Sequence, residues 1–311
     1  MIRVLPAPRR LQMRFERFRL ITGATSLVAP LLVIGLVAVL YRDAVPSIER
    51  FGAHFLVGTN WNPVTLDFGA LPFIYGTVAT SAIAIAIALP VGIAVALVLA
   101  EPGAGALRGV AGTGVELLAA IPSVVYGIWA LYVMAPFVFT RIEVPVSRGL
   151  SSVPLLSGSP SQTSLFTASL VLAVMILPTL SAISRDVLRA VPGGLRESAI
   201  ALGATWWETT WKVILPAART GIFGATVLAL GRALGETIAV TMVIGNRPEI
   251  PASIFSPAYT LASVIANEFA EATGSVYPAA LVELGLVLIL VSVVVNVAAL
   301  LLVRRTVEAS R

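Results

Sequence analysis

The chain alternates between long apolar stretches and short polar connections. Six apolar stretches are each about 20 residues or longer, which is the length that spans a bilayer as a helix. They are Leu20–Leu40, Ile74–Leu99, Thr113–Val138, Ser164–Ile183, Gly221–Ile244 and Ala279–Val303. Backbone polar groups in lipid must be satisfied internally, so each stretch is expected to be helical. The pattern predicts an all-α integral membrane protein with six transmembrane helices.

Composition supports this class. Of the 311 residues, 58% are hydrophobic and 12% are charged, whereas a soluble domain carries about a quarter charged residues. The mean hydropathy is +0.94. The chain has no cysteine, which excludes disulfides, thiolate metal sites and cysteine nucleophiles. No metal site is predicted.

The distribution of basic residues predicts the orientation. If the N-terminus is cytoplasmic, the inside segments carry a threefold excess of Lys and Arg over the outside segments, as the positive-inside rule requires. Both termini are therefore expected in the cytoplasm of a multi-pass protein of the cytoplasmic (inner) membrane. The predicted order is a cytoplasmic tail over 1–19, a first span over 20–41, a periplasmic segment over 42–73, a permease core over 74–303 and a cytoplasmic tail over 304–311. A cleaved signal peptide is the competing interpretation of the first apolar run, which is longer than a typical signal core.

One inside loop, over residues 185–219, has its own local signals. Pro192 suits the first turn of a helix, and Gly203 suits a left-handed position at its end. Thr205 and Glu208 have the spacing of a capping box. Pro216 is expected to close a second short helix before the fifth span. The loop is predicted to form a helix–turn–helix on the cytoplasmic side.

Three tryptophans in this loop have two possible roles. Trp206, Trp207 and Trp211 are large aromatic residues of the kind that anchor protein interfaces. Aromatic residues also form belts at the membrane surface, and the tryptophans alone favour that second interpretation.

The loop resembles the EAA loop of ABC-importer permeases. Glu197, Ala199, Gly203 and Leu215-Pro216 stand at the matching spacing, and Ser198 departs from the more usual alanine. In that family the loop docks into a cleft on an ATPase subunit. The resemblance thus implies a set of ATPase-coupling residues: Glu197, Ser198, Ala199, Gly203, Trp206, Trp207, Leu215 and Pro216.

Motifs in the spans are more specific. The segments 116–129 and 231–242, together with shorter motifs at 61–63, 75–77 and 267–271, resemble the C-type permease subunit of phosphate-specific ABC importers. The resemblance runs from about Asn60 to the C-terminus. It implies a type I ABC-importer permease fold and half of a phosphate pathway. The implied partners are a second permease subunit of the A-type, two ATPase subunits, a periplasmic phosphate-binding protein and the lipid membrane, with no nucleic acid.

The fifth apolar stretch contains two charges. Arg232 lies near its middle and Glu236 follows four residues later, on the same helix face. A charged residue at this depth is costly and should face a partner or a wet cavity. The two side chains are expected either to form a structural ion pair or to contact phosphate in the substrate pathway. Gly231 and Gly235 beside them are expected to serve close helix packing, and Glu116 in the third stretch is interpreted as structural.

The sequence provides no means of hydrolysing ATP. It lacks a Gly-x-x-x-x-Gly-Lys-Ser/Thr loop, so the chain is not expected to be an enzyme or to bind a cofactor, and ATP–Mg is assigned to the partner ATPase. Three alternatives stay open. They are a permease for another oxyanion such as sulfate or molybdate, a secondary anion carrier, and a non-transporting scaffold.

Overall fold

The computed structural model describes residue 19 and residues 22–100 and 105–308, with backbone only for Leu107 and residues 302–308. Residues 1–18, in the predicted N-terminal tail, and residues 309–311 lie outside the described residues. The described elements follow in chain order: α1 (Val28–Phe51), α2 (His54–Val57), β1 (Trp61–Asn62), β2 (Asp67–Phe68), α3 (Leu71–Ala100), α4 (Gly105–Ala120), α5 (Ser123–Gly149), α6 (Leu165–Ala190), α7 (Gly193–Ala201), α8 (Trp206–Leu234), α9 (Ile238–Val243), α10 (Leu261–Glu268) and α11 (Val276–Glu308).

Six helices in the described part of the chain are long and apolar enough to cross a membrane, namely α1, with the turn that precedes it, and α3, α5, α6, α8 and α11. The prediction of six transmembrane helices is confirmed. Several boundaries shift. The first helix continues to Phe51, so the beginning of the predicted segment 42–73 is helical, and α3 starts at Leu71. The last helix continues through residue 308, into the predicted tail 304–311.

The predicted bounds of the third span, Thr113–Val138, are wrong, although Pro122 was expected to kink this span or to mark its end. Helix α4 ends at Ala120, and α5 begins only at Ser123 after Pro122 adopts an extended backbone. Proline lacks an N–H group and disfavours helical geometry at the residue before it. The apolar stretch is therefore divided between two helices, and the spanning helix is the second one.

Several prolines lie inside long helices without ending them, and three of these, in α5 and α8, follow π-helical segments. A five-residue π-helical segment ends two residues before each of these three prolines. The segments are Ala130–Met134 before Pro136, Phe139–Glu143 before Pro145 and Thr210–Ile214 before Pro216. The added residue in a π turn changes the hydrogen-bond register, and this relieves the clash between the proline ring and the preceding turn. These helices thus stay continuous through their prolines.

Helix α6 is the centre of the bundle. About 61% of its most apolar window is buried, against 28% or less for each of the other spans. It packs against α3, α4, α8 and α9, and its buried positions include the small residues Ala168, Ser169, Ala173 and Ser181. Small side chains allow helix backbones to approach closely in membranes.

The two ends of the bundle differ. At one end, here called the hairpin end, antiparallel β1 and β2 pair Trp61 with Phe68. Beneath them the Trp61 indole and the Tyr277 hydroxyl donate to Glu268 at 2.8 and 2.7 Å. At the other end, here called the elbow end, α3 and α6 finish and α7 and α8 begin. We refer to residues 191–215 as the elbow.

The start of α6 is held by a buried carboxylate. Ser164 caps the helix by accepting a hydrogen bond from the Thr167 amide at 3.0 Å. The Ser164 and Thr167 hydroxyls both donate to Glu143 on α5, at 2.6 and 3.0 Å. Glu143 thereby ties the hairpin end of α5 to the central helix.

A glycine at the hairpin end tests this packing. A Cβ atom on Gly76 of α3 would overlap the Tyr259 carbonyl, whereas Gly224 of α8 has no atom outside its own helix within 4 Å of that position among the described residues. We expect Gly76→Ala to destabilise the protein by about 1–3 kcal/mol through overpacking. The apparent melting temperature of the detergent-purified protein should fall, and Gly224→Ala should leave it nearly unchanged. Equal melting temperatures for the two variants would contradict this packing.

Candidate functional site

The elbow begins with the short helix α7. The backbone of Pro192 is extended just before it, and Gly203 has φ +87° after it. The Gly203 and Ala204 amides donate to the carbonyls of Ile200 and Ala199 at 2.9 and 3.1 Å, which closes the helix end with the left-handed geometry that glycine adopts readily. The predicted helix and its glycine stop are confirmed.

One side of α7 faces outward. Ala199 is the buried residue of this helix, and Glu197 and Ser198 are exposed. The apolar Leu202, just beyond, is 89% exposed and Ile200 is 54% exposed. Helix α7 packs on the base of α8 through residues 206–214. Its outer side therefore presents a carboxylate, a hydroxyl and two large apolar groups for another molecule.

The second part of the elbow is the base of α8. The Thr205 hydroxyl accepts from the Glu208 amide at 3.3 Å, and Glu208 accepts from the Thr205 amide at 3.1 Å. The predicted capping box is confirmed. The prediction that Pro216 closes a separate short helix is wrong, because the π segment over Thr210–Ile214 carries the helix past it. The elbow is thus joined to the fifth span without a break.

The three tryptophans lie along one side of this base. The Trp206 and Trp207 rings are 6.0 Å apart, and the Trp207 and Trp211 rings are 5.4 Å apart. They form one wall of an apolar groove of about 670 Å³ whose other wall is α3. The groove is lined by Leu89, Pro90, Ile93, Ala94, Leu97, Val98, Trp206, Trp207, Trp211 and Leu215. Glu197 and Ser198 are not among the described residues that line it, so the predicted coupling residues lie on two separate surfaces.

The prediction that Glu236 follows Arg232 on one continuous helix is wrong. Helix α8 ends at Leu234, Gly235 caps it, and the Glu236 amide donates to the Ala233 carbonyl at 3.3 Å. No ion pair within 4.0 Å joins Arg232 and Glu236 in the described structure. The helix ends before Glu236, so the spacing of four residues does not bring the charges together.

The depth of Arg232 follows from helix packing. Gly221 of α8 contacts Val187, which lies close to the elbow end of α6. Arg232 lies about 16 Å further along α8 at the standard helical rise. That distance is about half the thickness of the hydrocarbon core. Arg232 therefore lies about half a hydrocarbon thickness from the elbow end of α6, in the last turn of α8, and its place at the midplane stays a prediction.

Two helix breaks meet at this depth. The short helix α9, which follows the break after Leu234, packs against Ser123–Trp129, the first part of α5, which follows the break at Pro122. Interrupted helices in membranes occur where the freed backbone groups are buried in protein or line a cavity. The contact between α9 and the first part of α5 therefore brings the two breaks together.

Arg232 opens into a cavity beside these breaks. The cavity has a volume of about 300 Å³ and is lined by Leu99, Gly112, Val115, Glu116, Ala119, Met175, Pro178, Thr179, Ala182, Arg185 and Arg232. Two guanidinium groups and one carboxylate therefore share one space. Arg185 is the first residue of the predicted inside loop 185–219, yet helical spacing places it on the same face of α6 as Pro178 and Ala182. The spacing of Arg185 from Pro178 and Ala182 was the signal in the sequence that could have placed it in this cavity.

The paired glycines face the last helix. A Cβ atom on Gly231 would lie 3.8 Å from the side-chain nitrogen Nδ2 of Asn296 on α11. Gly231 and Gly235 line an open groove of about 530 Å³ with Ser292 and Asn296. The glycines thus lie where α8 and α11 approach each other, and the groove leaves part of that face uncovered.

Comparison with known proteins identifies the family. Residues 88–308 match the family described as "Binding-protein-dependent transport system inner membrane component". The chain belongs to this family. It is therefore related to transport permeases and is a multi-pass membrane protein.

Relatives match along nearly the whole chain. The "Phosphate transport system permease protein PstC" of Mesorhizobium japonicum is 44% identical, with 88% of this chain and 85% of the relative covered. The protein of the same name in Pasteurella multocida is 44% identical over 92% of this chain and 91% of the relative. A "Probable phosphate transport system permease protein PstC" of Methanocaldococcus jannaschii is 32% identical over 96% of both.

Solved structures share the fold. A bacterial ABC transporter involved in the import of alginate aligns over 95% of this chain and 99% of its own, with a TM-score of 0.57 and 19% identity. The inward-facing MetNI methionine ABC transporter aligns over 76% of this chain and 94% of its own, with a TM-score of 0.51 and 23% identity. The predicted ABC-importer permease fold is confirmed.

The capping box can be tested directly. Thr205→Ala removes the acceptor for the Glu208 amide and should destabilise the start of α8 by about 1 kcal/mol. Hydrogen exchange measured by mass spectrometry on peptides covering residues 203–214 should become about fivefold faster, with other regions unchanged. Thr205→Ser keeps the acceptor and should exchange like the wild type. An unchanged rate in Thr205→Ala would show that the box does not stabilise the elbow.

Proposed function

We propose that the chain is the membrane-spanning permease subunit of an ATP-driven importer of inorganic phosphate. The observation that carries this proposal is the 44% identity to phosphate transport system permeases over about nine-tenths of both chains. The relatives' names favour phosphate over sulfate or molybdate, and membership in a binding-protein-dependent family disfavours a secondary carrier or a scaffold. The chain forms half of the pathway, and a second, A-type permease subunit forms the other half.

In this proposal the elbow end is cytoplasmic and the hairpin end is periplasmic, in the inner membrane, with both termini inside. The concentration of Arg and Lys in loop 185–219 supports this orientation. Two ATPase subunits hydrolyse ATP–Mg, and one of them docks on α7. A periplasmic phosphate-binding protein delivers phosphate at the hairpin end. The permease itself is not an enzyme.

The outer side of α7 is the docking surface for the ATPase. Glu197 and Ser198 offer polar contacts, and Leu202 offers an apolar anchor that is 89% exposed in the isolated chain. Buried Ala199 lets α7 pack on α8, and Gly203 fixes the turn between them. Leu215 and Pro216 lie where α8 continues into the membrane. A displacement of α7 is therefore transmitted to the whole of α8.

The far end of α8 carries the substrate contact. Arg232 stands in the last turn of α8, at the helix breaks, and presents a planar fork of donors suited to phosphate oxygens. Arg185 on the central helix opens into the same cavity and adds a second positive charge. Glu236 follows the break and is half-buried. We assign it to the pathway as a carboxylate that can accept a hydrogen bond from a protonated phosphate oxygen, because sulfate carries no proton near neutral pH.

The docking surface is tested by Leu202→Glu. Placing a charge at an apolar interface anchor should weaken ATPase binding by more than about 1 kcal/mol. Co-purification of the ATPase and its hydrolysis of ATP in the complex should both fall several-fold. Val64→Glu is the matched control, because Val64 is 91% exposed at the opposite end of the bundle. Equal ATPase recovery in the two variants would place the docking surface elsewhere.

The substrate contact is tested by Arg232→Gln. Loss of a charged hydrogen bond costs about 1.5–3 kcal/mol, so phosphate uptake into vesicles containing the whole transporter should fall about tenfold or more. Arg148→Gln, an exposed arginine near the hairpin end, is the control. Amounts of assembled complex should be equal in both. Normal uptake by Arg232→Gln would remove this residue from the pathway.

A second arm separates phosphate from other oxyanions. The wild-type transporter should take up radiolabelled phosphate in the presence of excess sulfate or molybdate. Uptake of either competitor in place of phosphate would contradict the proposed substrate.

A further inference from the structure

The groove between α3 and the tryptophans is not used by the proposed mechanism. Its described lining is entirely apolar, its volume is about 670 Å³, and it is open on the side of the bundle. Unlike the flat apolar faces of the other spans, this surface is a concave groove of a size and lining that suit an acyl chain. The tryptophans stay about half-exposed while they line it, with Trp207 at 59% and Trp211 at 52%.

The groove lies at the depth of one membrane leaflet. Its α3 wall runs from Leu89 to Val98, which is the part of this spanning helix nearest the elbow end. Its other wall consists of three indoles at the start of α8. Tryptophan concentrates at the boundary between acyl chains and headgroups. The groove therefore extends from that boundary into the acyl-chain region.

Two cations stand at the boundary end. Arg189 donates to the Leu99 carbonyl at 2.7 Å, one residue beyond the α3 wall of the groove. Lys212 follows Trp211, and its side chain is 73% exposed while it contacts Glu208 at 3.1 Å. The Arg189 guanidinium and the Lys212–Glu208 pair thus lie close to one end of an apolar groove, an arrangement that complements a molecule with apolar chains and an anionic head.

We infer that the groove binds an anionic phospholipid from the leaflet at the elbow end, which is the cytoplasmic leaflet in the orientation proposed above. An acyl chain lies between α3 and the tryptophans, and the headgroup phosphate lies near Arg189 and Lys212. The bound lipid packs between a spanning helix and the elbow, so the position of the elbow depends on the leaflet composition. This assigns the tryptophans to lipid rather than to the ATPase.

The test uses the whole transporter in vesicles of one part phosphatidylglycerol to three parts phosphatidylcholine. A trace of phosphatidylglycerol carries a photoreactive diazirine on its acyl chain. After irradiation, cross-linked peptides are identified by mass spectrometry. Labels should concentrate on the peptides that contain Ile93, Leu97 and Trp207.

Two variants locate the lipid. Ala94→Phe places a ring in the groove and should reduce labelling there several-fold. Ala38→Phe, at an exposed position on α1, should leave it unchanged. Lys212→Gln should reduce the preference for phosphatidylglycerol over phosphatidylcholine about fivefold, measured by competition between the two labelled lipids.

Three outcomes would overturn the inference. One is labelling of the groove no stronger than that of α1. Another is equal labelling of Ala94→Phe and wild type. The third is groove labelling in the isolated permease that disappears when the ATPase binds, because the groove would then be part of the ATPase interface. None of these outcomes bears on phosphate uptake, so the proposed function is tested separately.

Discussion

Backbone polar groups inside a membrane must be hydrogen-bonded within the protein, and the structure is organised around this requirement. Helices α1, α3, α6 and α11 satisfy it by running without interruption. Helices α5 and α8 satisfy it through π segments that carry them past Pro136, Pro145 and Pro216. Where helices do stop inside the membrane, at Pro122 and Gly235, the two breaks pack near each other against the buried central helix α6.

The same requirement explains how the two functional regions are connected. Had Pro216 ended a helix, the elbow would be joined to the fifth span by a flexible link. Because the π segment keeps α8 continuous, α7 rests on one end of a helix whose other end carries Arg232. Force applied at the elbow therefore reaches the helix breaks through one rigid element. The proposed phosphate contact stands where that element ends.

Local signals in the sequence predicted much of this arrangement. The glycine stop at Gly203 and the capping box of Thr205 and Glu208 are set by neighbouring residues in the sequence, and both predictions are confirmed. The lengths of the apolar stretches predicted six spans, because a helix needs about 20 apolar residues to cross the hydrocarbon core of a bilayer. The sequence marked Pro122 and Pro216 as points of interruption but did not show how each would act. One ends a helix and the other is absorbed by a π turn, and the choice depends on what packs around each of them.

The contacts between side chains in the candidate site depend on how the helices pack, and the sequence alone did not predict them. Arg232 and Glu236 have helical spacing in the sequence, but Gly235 ends the helix between them. Arg185 reaches the cavity of Arg232 only because α6 packs beside α4 and α8. The position of the tryptophans beside α3 likewise depends on the angle at which α8 leaves the elbow. The resemblance to the permease family predicted the fold, while the side-chain neighbourhoods required the structure.

The most direct test of the account is whether α8 moves as one piece. The chain has no cysteine, so spin labels can be placed at chosen pairs, and distances can be measured by pulsed electron paramagnetic resonance with and without nucleotide in the assembled transporter. The Lys212–Leu228 pair spans the π segment and Pro216, and the Val91–Leu228 pair spans α3 and α8. We predict that nucleotide changes the second distance and leaves the first unchanged. A change in the first distance with the second constant would show that the helix bends at Pro216, and the proposed coupling would be wrong.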